Sequence, residues 1–190
     1  MTRQIPTLPM PNVTLRPFIE SDIDESYLSW FADEEVIKHL YVRHIAQDVE
    51  RIKVSARGKI DAPNSYFFCI VVDAEKKIGT ISLNKDPFDD VASYGYLIGS
   101  RSHWGGPYAI EAQAALFDFG FRTLGLRRIW ADALSTNVPS LFNFHRLGFT
   151  REGVRRQAAV DGNGEAVDAI EYGLLADEWD HRRTRFFESE

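Results

Sequence analysis

One cysteine is all that this chain of 190 residues contains, so neither an intrachain disulfide nor a metal site built on several thiolates can form. Cys69 sits in the apolar run Tyr66-Phe67-Phe68-Cys69-Ile70-Val71-Val72, where a small buried core residue is the expected role. No apolar run approaches the roughly 18 residues that a membrane span requires. The first twelve residues carry Pro6, Pro9 and Pro11 in place of an apolar signal segment. Positive charge is not in excess either: the formal charge is -6 at pH 7. A chain of that balance has no overall attraction to nucleic acid. Neither a nucleic-acid nor a membrane partner is expected, and the default location is the cytoplasm. Repeats and low-complexity tracts are also absent.

What is present fits one globular domain with a sizeable core, 44% of the residues being hydrophobic. Residues 1–12 read as an irregular leader, 13–179 as the domain and 180–190 as a loosely held tail. Val13 to Arg16 alternates as a first strand. Ser21, Asp22 and Asp24 give an acidic, capped helix start before Tyr27, Leu28, Trp30 and Phe31. Asp33 to Val36 begins a short helical turn, and Gln47 to Lys59 has amphipathic helix spacing. Tyr66–Val72 and Lys77–Asn84 form an expected hairpin across Asp73-Ala74-Glu75-Lys76, and Val91–Ile98 supplies another strand. Pro107–Thr123 is the central helix, followed by a strand over Arg128–Ala133 and a helix over Val138–Arg146. Arg155–Val160 and Val167–Leu175 flank the hairpin turn Asp161-Gly162-Asn163-Gly164. The fold class is α/β (α+β).

Between the strand ending at Ile98 and the central helix lies Ser102-His103-Trp104-Gly105-Gly106-Pro107-Tyr108-Ala109-Ile110-Glu111-Ala112. Small residues opening a helix let backbone N–H groups approach an anion, with the positive end of the helix dipole facing it. This stretch is a candidate phosphate cradle. A glycine pair before a helix is equally compatible with an ordinary turn.

The order strand, glycine loop, helix, strand, Asn137-Val138-Pro139-Ser140, short helix, Leu147-Gly148-Phe149 and closing hairpin resembles the GNAT superfamily of acyl-CoA-dependent N-acyltransferases. Trp104 and Asn137-x-x-Ser140 look like the RimJ/RimL branch that acetylates ribosomal-protein N-termini. Tyr27 to Val36 is also similar to amino-sugar acetyltransferases. The resemblance implies a mixed, mostly antiparallel sheet flanked by helices and splayed between the strand ending near Ile98 and the strand Arg128–Ala133. It implies acetyl-CoA as cosubstrate: pantetheine in the gap along Leu97, Ile98 and Gly99, pyrophosphate on Trp104, Gly105, Gly106, Tyr108 and Ala109, and contacts from Asn137 and Ser140. An amide-rich arm satisfies unpaired strand groups as another strand would. Pro107 departs from the family pattern and removes one cradle donor, while Arg101 and His103 lie nearby for phosphates.

The implied chemistry is attack of an amine on a thioester, which needs a proton acceptor for the amine and favours a donor for the thiolate. Asp132 falls where some relatives carry a catalytic Glu, and is either that base or a strand-end carboxylate; ordered water or Asp168 are alternatives. Other family positions are changed: Ser93 and Ala159 stand where relatives place a Glu, and Phe144 where many place a Tyr. Ser140 either hydrogen-bonds the thiolate or caps its helix, and Asn137 likewise caps or holds pantetheine. Trp30, Tyr41, Tyr94 and Tyr96 either wall the acceptor site or belong to the core. Arg151, Arg155 and Arg156 read as a solvated edge. His39, His44, His103, His145 and His181 have no metal-binding spacing, and no metal is expected.

The expected activity is acetyl transfer to a primary amine, whether a protein N-terminus, an amino sugar or another small amine. A non-catalytic acyl-CoA sensor of the same fold is the alternative reading. Monomer and homodimer are both compatible with an exposed edge strand.

Overall fold

Alternation along a single strand decides how the two cores of this protein are divided. The computed structural model describes residues 5–41, 48–73, 75–161 and 163–187. Within Ser65–Val72 (β3), Phe68 and Ile70 enter one buried cluster while Phe67, Cys69 and Val71 enter the other, on the opposite face of the sheet. A strand covered on both sides reads as a continuous apolar run. That is why Tyr66–Val72 carries no polar break.

Around β3 the chain runs β1 (Leu8–Pro9), β2 (Thr14–Pro17), α1 (Glu25–Ala32), α2 (Glu34–Ile37) and α3 (Val49–Asp61), then β4 (Lys76–Lys85), β5 (Val91–Ile98), α4 (Tyr108–Asp118), β6 (Arg128–Leu134), α5 (Val138–Leu147), β7 (Thr150–Val160), β8 (Ala166–Leu175) and α6 (Ala176–Phe187). The strands form one sheet in the order β1-β2-β3-β4-β5-β6-β8-β7. Neighbours pair antiparallel except β5 and β6. This is the mixed, mostly antiparallel sheet that the resemblance implies. α1 and α3 cover one face, and α4 covers the other, its Leu116 and Phe117 fully buried.

Local chemistry sets the helix ends. The Asp24, Asp33 and Asp48 side chains accept from backbone amides and cap α1, α2 and α3, and Asn137 does so for α5. Gly148 ends α5 at φ +88, a conformation open to glycine without strain. The central helix is expected to run α-helically to Thr123, but it leaves α4 in a π-helical turn over Phe119–Thr123, with Leu124 N donating to Phe119 O at 3.1 Å. Gln47, Ala74 and Gly162, which the expected elements include, lie outside the described residues.

Residues 5–12 and 180–187 make pairing and packing contacts that their composition does not announce. In the leader, Leu8 and Pro9 pair with Leu15 and Thr14, and the Asn12 amides donate to the Glu111 carboxylate at 2.9 and 2.6 Å. The tail is helical through Phe187 instead of loose. Trp179 is fully buried against Phe117, with Phe186 and Phe187 packed on it, and Arg183 Nε donates to Asp118 at 2.5 Å.

A buried carboxylate anchors the β2 end of the sheet. Asp22, 4% exposed, accepts a two-pronged bond from Arg16 at 2.7 Å on each oxygen and another from Ile19 N at 2.9 Å. Lys77 Nζ lies 3.6 Å away. Burial pushes the Asp22 carboxyl upward, but Arg16, Ile19 N–H and Lys77 outweigh it and hold it below the ordinary carboxylate value. Its stabilisation is therefore full above the unfolded-state value near ~4 and is lost as pH falls through the lower folded-state value. Asp22→Asn is expected to reduce the unfolding free energy by roughly 2–4 kcal/mol at neutral pH. Urea titrations at pH 7 and pH 3 check this, the gap to the parent narrowing at the lower pH; an equal gap at both would refute the ionic origin.

Candidate active site

Two antiparallel ladders meet at a parallel pair that is too short to hold them together. β5 and β6 pair through Val91–Arg128, Ala92–Ile129 and Ser93–Trp130. Beyond that point β5 follows β4 as far as Ile98, and β6 follows β8 as far as Leu134. The facing edges past Ser93 are thus left without each other as partners. At the mouth of the gap Trp104 Nε1 donates to Ile98 O at 2.8 Å. Leu97, Ile98 and Gly99 form that end of β5.

Gly99 is there for a packing reason. A Cβ on it would lie 2.1 Å from Trp30 Cδ2, so the indole of α1 lies directly on the strand end. Trp30 is 6% exposed within the Phe18, Tyr27 and Phe31 cluster and does not wall an open site, contrary to the reading that placed it at the acceptor.

Past Gly99 the loop turns into α4. Gly105 has φ +77, and the space a Cβ would take there is open. Gly106 lies beneath the Tyr108 ring, 2.7 Å from a Cβ position. Pro107 occupies the N-cap at φ -75, and its carbonyl accepts from Glu111 N at 3.0 Å. The N–H groups of Tyr108, Ala109 and Ile110 belong to the first helical turn, which has no partner inside the helix. These amides, with the open space at Gly105, are the kind of donors that a helix start offers to an anion. Arg101 lies 5.6 Å over the Trp104 ring and 3.6 Å from Asp33, and His103 Nδ1 is 2.8 Å from Ser100 Oγ.

On the α3 face, a cavity of about 300 Å³ opens over β3, β4 and β5. It exists because two of the residues beneath it are small: Ser82 and Gly95 stand in register beside Phe67 across the three strands, and a Cβ on Gly95 would meet nothing within 4 Å. Tyr41 closes the β6 side. Its hydroxyl donates to Asp132 Oδ2 at 2.7 Å, and Arg155 Nη2 pairs with the same oxygen. Arg155 Nε also reaches Glu171 Oε1 at 2.9 Å. Burial first, and then the Asp132 carboxylate, push the Tyr41 phenol up to about 12. Asp132 Oδ1 carries no hydrogen bond among the described residues. Arg155, read as a solvated edge, instead spans from β7 to the site; its partners are 23 and 16 positions away, beyond any local pattern.

On the other face, Tyr96 turns its hydroxyl toward α5, 3.1 Å from Ser140 Oγ and 3.2 Å from Asn143 Nδ2. Asn137 caps α5, its Oδ1 accepting from Ser140 N at 3.3 Å. Ser140 therefore leaves the capping to Asn137 and shares its hydroxyl with Tyr96. Phe144 is buried and stacks on Tyr172 at 4.4 Å. Asn143 was not foreseen; period-two alternation through Tyr94 and Tyr96, with Gly95 between, is the signal that places the two tyrosines on the α5 face.

Of the two further acceptor candidates, Tyr94 lines the back of the cavity from the core and Asp168 lies away from it. Tyr94 packs among Phe117, Phe144 and Phe149, and its hydroxyl donates to buried Gln113 at 3.0 Å, so it is a core residue at the back of the cavity. Asp168 Oδ1 accepts from Gln157 N at 2.8 Å, and its carbonyl from Ser135 N. Those bonds hold the β7 bulge, where Gln157 has φ +49, and keep the carboxylate out of the cavity. His44 lies outside the described residues, among which no group of three His, Cys, Asp or Glu gathers to hold a metal. No described helix is long and apolar enough to cross a membrane.

Residues 12–150 match the model of the acetyltransferase (GNAT) domain. The chain belongs to the GNAT acetyltransferase family. As a GNAT protein it is an N-acetyltransferase. It is 31% identical over 177 residues to an uncharacterised N-acetyltransferase, p20, of Bacillus licheniformis, covering 91% of this chain and 98% of the relative. Among solved structures, a GCN5-related N-acetyltransferase from Brucella melitensis superimposes with a TM-score of 0.78 at 22% identity, covering 97% of this chain and 85% of that one. RimL, a ribosomal L7/L12 alpha-N-protein acetyltransferase in complex with coenzyme A, gives 0.79 at 22% identity, over 91% and 99%. These two share the fold of this GNAT chain.

The Gly99 contact is directly testable. Gly99→Ala is expected to cost about 1–3 kcal/mol of stability as the Trp30 ring is displaced. Urea unfolding measures it, and an unchanged midpoint would show that the indole does not need the bare strand.

Proposed function

We propose that this GNAT protein transfers an acetyl group from acetyl-CoA to a primary amine by direct attack, at the point where the β5–β6 gap meets the cavity over Gly95. The observation that carries this is the position of the gap, with the Tyr41–Asp132 pair beside the cavity on one face and Tyr96–Ser140 on the other. Acetyl-CoA, when bound, supplies an acetyl thioester that an uncharged amine attacks, releasing the thiol. The RimL neighbour, which holds coenzyme A, supports that choice of cosubstrate.

Along this route Leu97, Ile98 and Gly99 offer strand groups to the pantetheine arm, as an added strand would. Trp104 limits the mouth by holding the Ile98 carbonyl. The amides of Gly105, Gly106, Tyr108 and Ala109 receive the diphosphate, and Asn137 fixes the start of α5 so that Ser140 faces the gap. Asp132 takes the amine proton on Oδ1, while Arg155 and Tyr41 hold Oδ2 and keep the carboxylate aimed. Tyr96 and Ser140, sharing one hydrogen bond, hold the sulfur and return its proton. In this role Tyr96 replaces the hydroxyl that Phe144 lacks.

Asp132→Asn is expected to lower kcat about 100-fold or more with acetyl-CoA binding retained. Thiol release together with calorimetry reads both quantities, and an unchanged kcat would remove Asp132 from the reaction. Ser140→Ala and Tyr96→Phe are each expected to lower kcat about tenfold, the double variant losing less than the product because the two hydroxyls share one bond. Strictly multiplicative losses would show that they act separately.

A further inference from the structure

Lys59 is the one charged side chain lining the cavity over Gly95 among the described residues, and no Asp or Glu lines it. Lys59 lies on α3 one turn beyond Ser55, on the same face, and both reach the cavity. Its Nζ stands 5.0 Å over the Phe67 ring and has no ion-pair or hydrogen-bond partner among the described residues. In a chain of charge -6, with carboxylates paired to most of its other cations, that isolation needs a reason. Burial holds the Lys59 ammonium below the ordinary lysine value, so an arriving anion would relieve an existing cost. Ser82 and Asn84 line the same floor and add neutral hydrogen-bonding groups to the one positive charge.

Strand register supplies a length. Phe67 on β3, Ser82 on β4 and Gly95 on β5 are aligned, so the Lys59 end and the Gly95 end are two strand spacings apart, about 10 Å. We propose that the acceptor is an amine carrying an anionic oxygen group, carboxylate or phosphate, several bonds from its nitrogen, with Lys59 binding the anion while the amine reaches the gap at Gly95. This rests on the acetyl-transfer reading above and specifies its acceptor. Polyamines, which would set a second cation against Lys59, are disfavoured.

The test compares amine twins in a thiol-release assay with acetyl-CoA. 6-Aminohexanoate against hexylamine probes a carboxylate, glucosamine 6-phosphate against glucosamine probes a phosphate, and spermidine is the cationic control. At least one anionic twin is expected to exceed its neutral partner by about tenfold or more in kcat/KM. Whichever pair shows the difference identifies the anion. Lys59→Met keeps the apolar stem over Phe67 and is expected to raise KM for that twin with kcat little changed, because the contact is the same before and during reaction. Lys59→Arg should restore part of the discrimination. Neutral twins turned over as well as anionic ones, or a KM indifferent to Lys59→Met, would overturn the inference while leaving acetyl transfer intact. No thiol release from any amine, with acetyl-CoA bound by calorimetry, would overturn the transfer reading and this inference with it. The twin comparison uses the parent protein, so it stands even if a variant fails to fold.

Discussion

The parting of β5 from β6 is the constraint on which the remaining architecture depends. Each strand has a long antiparallel partner on its outer side, β4 through Gly79–Lys85 and β8 through Ala169–Leu175, and sheet twist carries those two ladders apart. Only the three residue pairs from Val91 to Ser93 join them. A parallel pair also requires a long crossover, and here α4 supplies it, placing its own N-terminus at the mouth of the gap. The cradle and the gap therefore follow from one topological choice. α5 follows the end of β6, and its Ser140 and Asn143 meet Tyr96 of β5.

Charge across the opening is arranged with equal economy. Tyr41, Asp132, Arg155 and Glu171 form one chain of contacts from the α2 end to β7 and β8. Its Asp132, Arg155 and Glu171 members lie over the paired β6–β8–β7 ladder, and Tyr41 ties that ladder to the end of the α2 segment. The α3 cavity by contrast contains few groups that need one another, since Ser82, Gly95 and Thr80 present little bulk and Lys59, among the described residues, has only the Phe67 ring below it. One side is closed by its own contacts and the other is left to be completed.

Features set by near neighbours in the chain were legible before the structure. The β3 run, the Asn137 cap, the Gly148 stop and the glycine loop all obey rules that act within a few residues. Features set by distant partners were not. Gly99 looks like any loop glycine until the Trp30 indole, 69 positions earlier, is found against it. Arg155 shares a basic run with Arg151 and Arg156, but only the β7–β8–β6 arrangement brings it to Asp132. The charged residues of α6 obscured the spacing of Trp179, Phe186 and Phe187, whose burial depends on Phe117 and Phe121 of another helix region. Lys59 falls at an ordinary surface position of an amphipathic helix, and its setting comes from the strand beneath it.

Pro107 shows how a missing group can still favour a site. Its ring fixes φ near the helical value, and at the N-cap the absent N–H removes no helical bond. The chain leading into α4 therefore samples fewer shapes when unfolded, and the first-turn amides are held together before any anion arrives. The ordering entropy falls on folding and not on binding. For the proposed diphosphate site, this trades one donor for a smaller entropic penalty in using those that remain.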